Sequence, residues 1–334
     1  MSSIPSARIV GTGMFVPDNV VTNKDLESLM DTSDEWIRQR SGIKERRHVK
    51  AGVGPSDLAY EASQAALADA GLAATDLDMI ILATLSPDYY FPGSSVFVQD
   101  MLGLKTTPAM DLRCQCSGFL YGMNIAQGLI ATGQYKNILV VGAEVHSAAL
   151  DMTTRGRDVA VLFGDGAGAV IMQASDEPER GLLGIELHSQ GEYRDQLKIE
   201  FPSTRKKPFV GPEEIEAGTI YPYMEGRHVF KNAVTRMPEV VGNVLRQASV
   251  TADDVDLFVF HQANLRINEM VMKQLGQPME KSFNNIMRYG NCSAASIPMC
   301  LAEARAASRI KEGDIVCMAS FGAGYTWAGA LMRW

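Results

Sequence analysis

The sequence predicts a layered α/β fold built from two similar halves. Two observations carry this. Strand-length apolar runs alternate with helical stretches rich in small residues, and one part of the chain echoes another far downstream. The runs are Ala7–Gly11, Met79–Thr84 (MIILAT) and Asn137–Glu144 (NILVVGAE). Unbroken β-branched and Leu runs of this kind suit a sheet covered on both faces. Between them, Asp57–Ala70 carries Leu58, Ala62, Ala66 and Ala70 near helical spacing, with Gly71 placed to cap its C-terminus. Further helices are predicted over Ser117–Ala131 and Ala233–Ala248. Strand–helix–strand order argues for a layered architecture.

The echo pairs AGLAATDLDMIILAT (70–84) with ASVTADDVDLFVFHQ (248–262), at an offset of 178 residues from Asp76 to Asp254. QDMLG (99–103) then answers KQLG (273–276). Cys116-Ser117-Gly118 answers Cys292-Ser293-Ala294 at an offset of 176. Residues 190–225 break the rhythm with RKKP (205–208), GPEE (211–214) and YPYM (221–224). They read as a long surface excursion, functional or flexible, with Arg205-Lys206-Lys207 as a solvated face.

Composition narrows the function. The 334 residues are 46% hydrophobic and 21% charged, an ordinary globular mix that excludes wholesale disorder. A net charge of −8 argues against a nucleic-acid partner. No apolar run reaches the roughly 18 residues of a membrane span. Met1–Gly13 holds Arg8 and lacks the apolar core of a secretory signal. Five cysteines, an odd number, point away from a disulfide framework and toward a reducing cytoplasm.

Cys114-x-Cys116 offers two thiols with no second pair at zinc-type spacing, so no metal site is expected. Cys116 follows the strand-like PAMDLR (108–113) and precedes the helical SGFLYGMNIAQGLIA (117–131). A thiol at such a junction meets the positive end of a helix dipole, which favours the thiolate. The competing reading is a small buried hydrophobe. His261 closes the strand DLFVF (256–260), where α/β sheets place their sites; a structural histidine is the alternative. His48, His146, His188 and His228 lack such a context and read as surface or packing residues. Asn291, after Gly290 in RYGNCSAASIP (288–298), marks a tight turn into a close-packed helix. FGDGAGAV (163–170) and FGAGYTWAGA (321–330) match no nucleotide-binding pattern, although tight glycine turns can aim N–H groups at an oxyanion.

Six segments in register, TSDEWIRQRSGIKERR (32–47), CSGF (116–119), FGDGAG (163–168), HQANLRI (261–267), GNCSAASIP (290–298) and FGAGYTW (321–327), give a closer identification. The chain resembles β-ketoacyl-acyl carrier protein synthase III, a condensing enzyme of the thiolase superfamily. The resemblance implies a thiolase-like five-layered αβαβα fold of two βαβαβαββ halves. Residues 1–175 would carry the nucleophile, and 176–334 the histidine and asparagine. It implies Cys116 as the acyl-accepting nucleophile, with His261 and Asn291 as partners. The backbone N–H groups of Cys116 and Ala323 would form the oxyanion hole.

By the same resemblance Trp36 and Arg40 clasp the adenine end of coenzyme A and Arg157 joins them. Gly226, in MEGRHVF (224–230), belongs to the tunnel wall, Asn264 meets pantetheine, and Arg266 docks acyl carrier protein. Phe91, in YYFPGSS (89–95), would line the acyl pocket of a homodimer partner. The implied reaction is decarboxylative condensation of an acyl-coenzyme A primer with malonyl-acyl carrier protein, with no metal or redox cofactor. Non-decarboxylative relatives carry a glutamate at the position of Phe91. Acyl transfer to a small acceptor, hydrolysis and a non-catalytic carrier-binding role are the other readings. Three departures stand out: Cys292 where threonine is common, Arg227 where asparagine is common, and the 190–225 excursion. Beside a tunnel, the excursion either shifts primer preference toward longer or branched chains or is ornament on an acetyl-primed enzyme.

Overall fold

The computed structural model describes residues 6–175, 177 and 180–334. Part of the Met1–Gly13 reading (residues 1–5) and residue 176, the expected start of the second half, lie outside them. The first sheet has the spatial order Ala109–Leu112, Met79–Ala83, Asn137–Glu144, Gly166–Ala174, Ala7–Phe15. Its first two joins are parallel and its last two antiparallel. The second sheet runs Leu257–Phe260, Ile315–Gly322, Thr326–Arg333, Gly181–Ser189, joined parallel, antiparallel, antiparallel. The edge strand Ala109–Leu112 of the first sheet, where Ile80 pairs with Ala109, is answered in the second by a lone parallel bridge from Phe258 to Ser282. Sheet order and sense therefore repeat, and Ile80 and Phe258 keep the offset read from Asp76 and Asp254.

Five layers follow from where alternate side chains go. Met79 and Ile81 enter a core shared between the sheets, while Ile80 and Leu82 face outward onto the helix Pro55–Ala70 through Leu58, Ala62 and Ala66. In the second sheet Leu257 and Val259 point inward, and Phe258 and Phe260 pack toward Val240 and Val244 of the helix Gly226–Gln247. Two helices, Gly118–Ala131 and Ser296–Ala306, fill the middle layer with Phe119, Met123, Ile297 and Leu301. Burial of both faces explains why the strand sequences show no polar alternation.

The predicted helix ends hold at Gly71, which caps in the left-handed region at φ 66°. The helix expected from Ala233 begins seven residues earlier, at Gly226. Its opening residues Arg227, His228 and Lys231 conceal an apolar stripe of Val229, Phe230 and Ala233 that packs on the second sheet's outer core.

The echo needs one correction. The 3₁₀ turns Gln115–Ser117 and Ser293–Ala295 correspond, and each opens on a left-handed non-glycine residue, Gln115 at φ 42° and Ser293 at φ 45°. Backbone correspondence thus stays at 178 residues, so Cys292 answers Cys114 and Ala294 answers Cys116. Matching by residue identity had put the thiols two positions out of step.

The 190–225 excursion is folded rather than loose. Leu197–Lys198 pairs with Tyr223–Met224 at its neck, and the helix Pro212–Ala217 lies between. Arg155 donates to the Glu216 carbonyl at 3.0 Å and lies over the Tyr221 ring. Phe209 meets Tyr90 edge-on at 5.3 Å. Arg205 and Lys207 are exposed as expected, but Lys206 pairs with the Glu214 carboxylate. Among the described residues no helix is long and apolar enough to cross a membrane.

Candidate active site

A cavity of about 520 Å³ opens between the halves, and Cys116, His261 and Asn291 all line it. Two arrive just after strands, and Asn291 follows the short helix Ile286–Tyr289. Cys116 sits in the turn after Ala109–Leu112, and His261 follows Leu257–Phe260, its N–H donating to the Ala319 carbonyl at 2.9 Å. Gly290, at φ 67°, turns the chain so that the Asn291 N–H donates to the Leu162 carbonyl at 2.8 Å. A Cβ on Gly290 would stand 2.8 Å from that same carbonyl oxygen. Gly322 lets the turn before Ala323 press against Cys116, because a Cβ there would lie 2.9 Å from that of Cys116. Ala323 is not among the positive-φ residues, so its side chain imposes no strain on a backbone donor.

The three side chains are 8%, 3% and 6% exposed, and that dryness sets their chemistry. Burial pushes the Cys116 thiol up to about 12; a hydrogen bond from Ser293 opposes this and the Glu144 carboxylate adds to it. Burial thus works against the helix-terminus argument for a ready thiolate and favours the thiol. Glu144 is fully buried, its carboxylate accepting from the Leu85 N–H and the Thr84 and Ser86 hydroxyls. Burial lowers His261 to about 3, with His146 adding to the effect, so its imidazole is neutral at pH 7. His261 Nε2 has no hydrogen-bond partner among the described residues. Its Nδ1 lies 2.7 Å from Ser296 Oγ.

Ser293 and Ser296 were not singled out in the sequence. The Ser293 N–H donates to Asn291 Oδ1 at 2.8 Å, and its hydroxyl donates to Cys116 Sγ at 3.4 Å. With Oδ1 engaged, the Asn291 NH₂ is the group left for the cavity. His228 also has more context than its sequence offered, with Nδ1 2.9 Å from the Tyr325 hydroxyl, just beyond the Ala323 turn. Cys292 lies apart from the cavity lining, buried with its thiol donating to the Tyr289 carbonyl at 3.4 Å. It is no second thiol of the site.

Nearer the mouth, Trp36, Arg40, Gly226, Arg227, Asn264 and Arg266 line the same cavity. The Arg40 guanidinium lies 4.5 Å from the Trp36 ring and that of Arg157 5.4 Å. Arg157 is tied to the Asp31 carbonyl at 2.6 Å and stands outside the lining. The Asn264 amide is engaged, donating to the Arg40 carbonyl and accepting from the Arg266 N–H at the start of the helix Leu265–Gln274. Arg40, Arg227 and Arg266 are exposed and without an ion pair among the described residues. Leu197 and Met224, at the neck of the excursion, also line the cavity. Phe91 does not: it is 80% exposed, beside exposed Tyr89 and Tyr90.

Buried neutral histidines make stability depend on pH. Desolvation lowers His261, His146 and His48. Below about pH 6.5 the unfolded chain binds protons at these rings and the folded chain does not, so stability falls with pH, for His261 down to about pH 3. Each group contributes at most about 1.4 kcal/mol per pH unit. Urea unfolding between pH 7 and 4 should show a shallower slope for His261→Asn than for the wild type, and equal slopes would contradict it.

Two family models match the chain: 3-oxoacyl-[acyl-carrier-protein (ACP)] synthase III over residues 110–191 and its C-terminal model over 245–334. The β-ketoacyl-[acyl-carrier-protein] synthase III of Geobacillus kaustophilus (strain HTA426) is 46% identical over 328 residues, 98% of this chain and 99% of that protein. The chain belongs to the β-ketoacyl-acyl carrier protein synthase III family. The namesake enzyme of Roseiflexus sp. (strain RS-1) is 44% identical, covering 98% of each chain. The crystal structure of 3-oxoacyl-[acyl-carrier-protein] synthase III from Aquifex aeolicus VF5 superposes with a TM-score of 0.90 at 42% identity, covering 98% of this chain and all of that one. The layered fold of two similar halves is thus the synthase III fold, and the protein is an acyl-transferring condensing enzyme.

Proposed function

We propose that the protein joins an acyl-coenzyme A primer to malonyl-acyl carrier protein with loss of carbon dioxide, through an acyl-Cys116 intermediate. The observation that carries this reading is the convergence of Cys116, His261 and Asn291 in the buried part of one cavity. Three unpaired guanidiniums stand at that cavity's mouth. On a chain of net charge −8 such a mouth suits the phosphates of coenzyme A and an acidic carrier. Trp36 offers a face for a flat base, and Arg40 or Arg157 must yield its place over the ring for the base to stack there.

In the first half-reaction the Cys116 S–H bond breaks and its proton passes to His261. The sulfur pair forms a C–S bond to the primer carbonyl, whose oxyanion is held by the Cys116 and Ala323 N–H groups. The C–S bond to coenzyme A then breaks, and the departing sulfur takes the proton from His261. In the second half malonyl-acyl carrier protein loses carbon dioxide, and the C–C pair becomes an enolate. Asn291 donates to the enolate oxygen, and so does His261 once it holds a proton. The enolate carbon attacks the acyl-Cys116 carbonyl and expels the Cys116 sulfur, which recovers a proton from His261. One proton enters per turnover, matching the one that leaves on coenzyme A. Incubation with acetyl-coenzyme A and malonyl-acyl carrier protein should yield the β-ketoacyl carrier and carbon dioxide. Product that retains the malonyl carboxylate would support the non-decarboxylative alternative instead.

The exposed Phe91 suits insertion into a second copy of the chain, and symmetric dimers are the commonest assembly. Light scattering should give a dimer, and Phe91→Ala should lower kcat/KM for the primer about 10-fold, roughly the 1.4 kcal/mol of a lost apolar contact. A fully active monomer would remove this role. Leu197 and Met224 give the excursion a share of the cavity wall. Competing acetyl-, butyryl-, isobutyryl- and octanoyl-coenzyme A in one assay decides whether it sets primer choice; a tenfold acetyl advantage makes it ornament.

A further inference from the structure

Ser296 Oγ has one proton and three neighbours. It lies 2.9 Å from the Ser293 carbonyl oxygen, 3.3 Å from the Gln262 backbone nitrogen and 2.7 Å from His261 Nδ1. The carbonyl has no proton to give, so the short contact with it places the hydroxyl proton there. The Gln262 N–H can only donate, and takes one lone pair of Oγ. The second lone pair then faces Nδ1, and a hydrogen bond at that contact needs the proton on the ring. The opposite choice, a hydroxyl donating to Nδ1, leaves two bare oxygens 2.9 Å apart in a dry core.

We propose that Ser296 is a positioning residue that holds the resting proton of His261 on Nδ1, so that Nε2 starts each cycle as a bare proton acceptor. This rests on the reading of Cys116 and His261 given above, and names the group that poises it. Nε2 is the ring nitrogen without a partner, on a side chain only 3% exposed. A neutral imidazole with Nδ1–H is the form able to take the Cys116 proton. In this form His261 donates at Nε2 only after accepting a proton.

Ser293 extends the arrangement. Its carbonyl takes the Ser296 hydroxyl, its N–H fixes the Asn291 amide, and its own hydroxyl reaches Cys116. One residue therefore ties all three reacting side chains to a single turn. The left-handed φ of 45° at this non-glycine position is the strain that over-determined contacts can sustain.

The test is ¹⁵N NMR of histidine-labelled full-length protein, with His261 assigned by the loss of its signals in H261N. The wild type should show a protonated Nδ1 and a bare Nε2. Ser296→Ala should shift the ring toward the Nε2–H form and slow acyl transfer from acetyl-coenzyme A to the enzyme about 10- to 100-fold, with KM little changed. Ser296→Thr, which restores the hydroxyl, should recover both. Ser293→Ala keeps the backbone contacts, so it should leave the tautomer as in the wild type while slowing acyl transfer. A wild-type ring protonated at Nε2, or an S296A ring unchanged from wild type, overturns the proposal. Failure of wild-type Cys116 to acquire an acyl group would instead refute the catalytic reading, whatever the tautomer.

Discussion

Cys116→Ala should abolish condensation, by about 10⁴-fold or more, the scale of removing a covalent nucleophile, while leaving malonyl-carrier decarboxylation measurable. The two activities separate because the groups behind them are distinct. In the proposed mechanism Cys116 forms the acyl bond, while Asn291 and protonated His261 stabilise the enolate. Peptide mass spectrometry after incubation with acyl-coenzyme A should place the acyl group on Cys116 of the wild type. Cys292, buried against the Tyr289 carbonyl, and Cys300 and Cys317, both inaccessible, should stay free. An adduct on Cys114 or Cys292 with Cys116 unmodified would exclude the assignment. Cys116→Ser is the sharper variant. It keeps a nucleophilic atom and the Ser293 contact, but an alcohol in this dry pocket releases its proton less readily than a thiol already raised to about 12. Its acyl transfer should fall with the alanine variant.

The candidate positions were legible for different reasons: Cys116 and His261 each follow an apolar strand, and Asn291 follows Gly290 at a tight turn before a run of small residues. The two-half fold was legible for a related reason: Asp-x-Asp before an apolar run marks the same strand entry in both halves. The serines were not legible. In CSAAS they look like packing residues, and their partners lie 177 positions away at Cys116 and 35 away at His261. Hydrogen bonds between positions this far apart leave no local pattern. The thiol's proton affinity is illegible for the same cause. The helix start is visible in sequence, whereas the desolvation that opposes it needs both halves assembled. The excursion looked loose because its order comes from distant partners, Phe209 on Tyr90 and Arg155 on Tyr221.

Asn291→Ala should slow release of carbon dioxide from malonyl-acyl carrier protein by about 10²- to 10³-fold, the loss expected when one preorganised oxyanion donor is removed. Decarboxylation moves a full negative charge from a carboxylate onto a thioester oxygen, in a cavity wall where the neighbouring groups are 8% exposed or less. A donor there needs no reorientation, because the Ser293 N–H already holds Asn291 Oδ1 and leaves the NH₂ for the substrate. Acyl transfer to Cys116 should be hurt far less, since in the proposed mechanism that oxyanion belongs to the backbone donors. His261→Ala should instead depress both half-reactions, because in the proposed mechanism its ring carries the thiol's proton first and the enolate's hydrogen bond later. Asn291→Asp distinguishes charge from shape. It preserves the acceptor for Ser293 but replaces the donor with a carboxylate oxygen, so it should decarboxylate more slowly than the alanine variant. Single-turnover carbon dioxide release and acyl-enzyme formation, measured separately on all three variants, check the pattern. Wild-type decarboxylation in Asn291→Ala would remove this residue from the chemistry and leave it a turn residue held by Leu162 and Ser293.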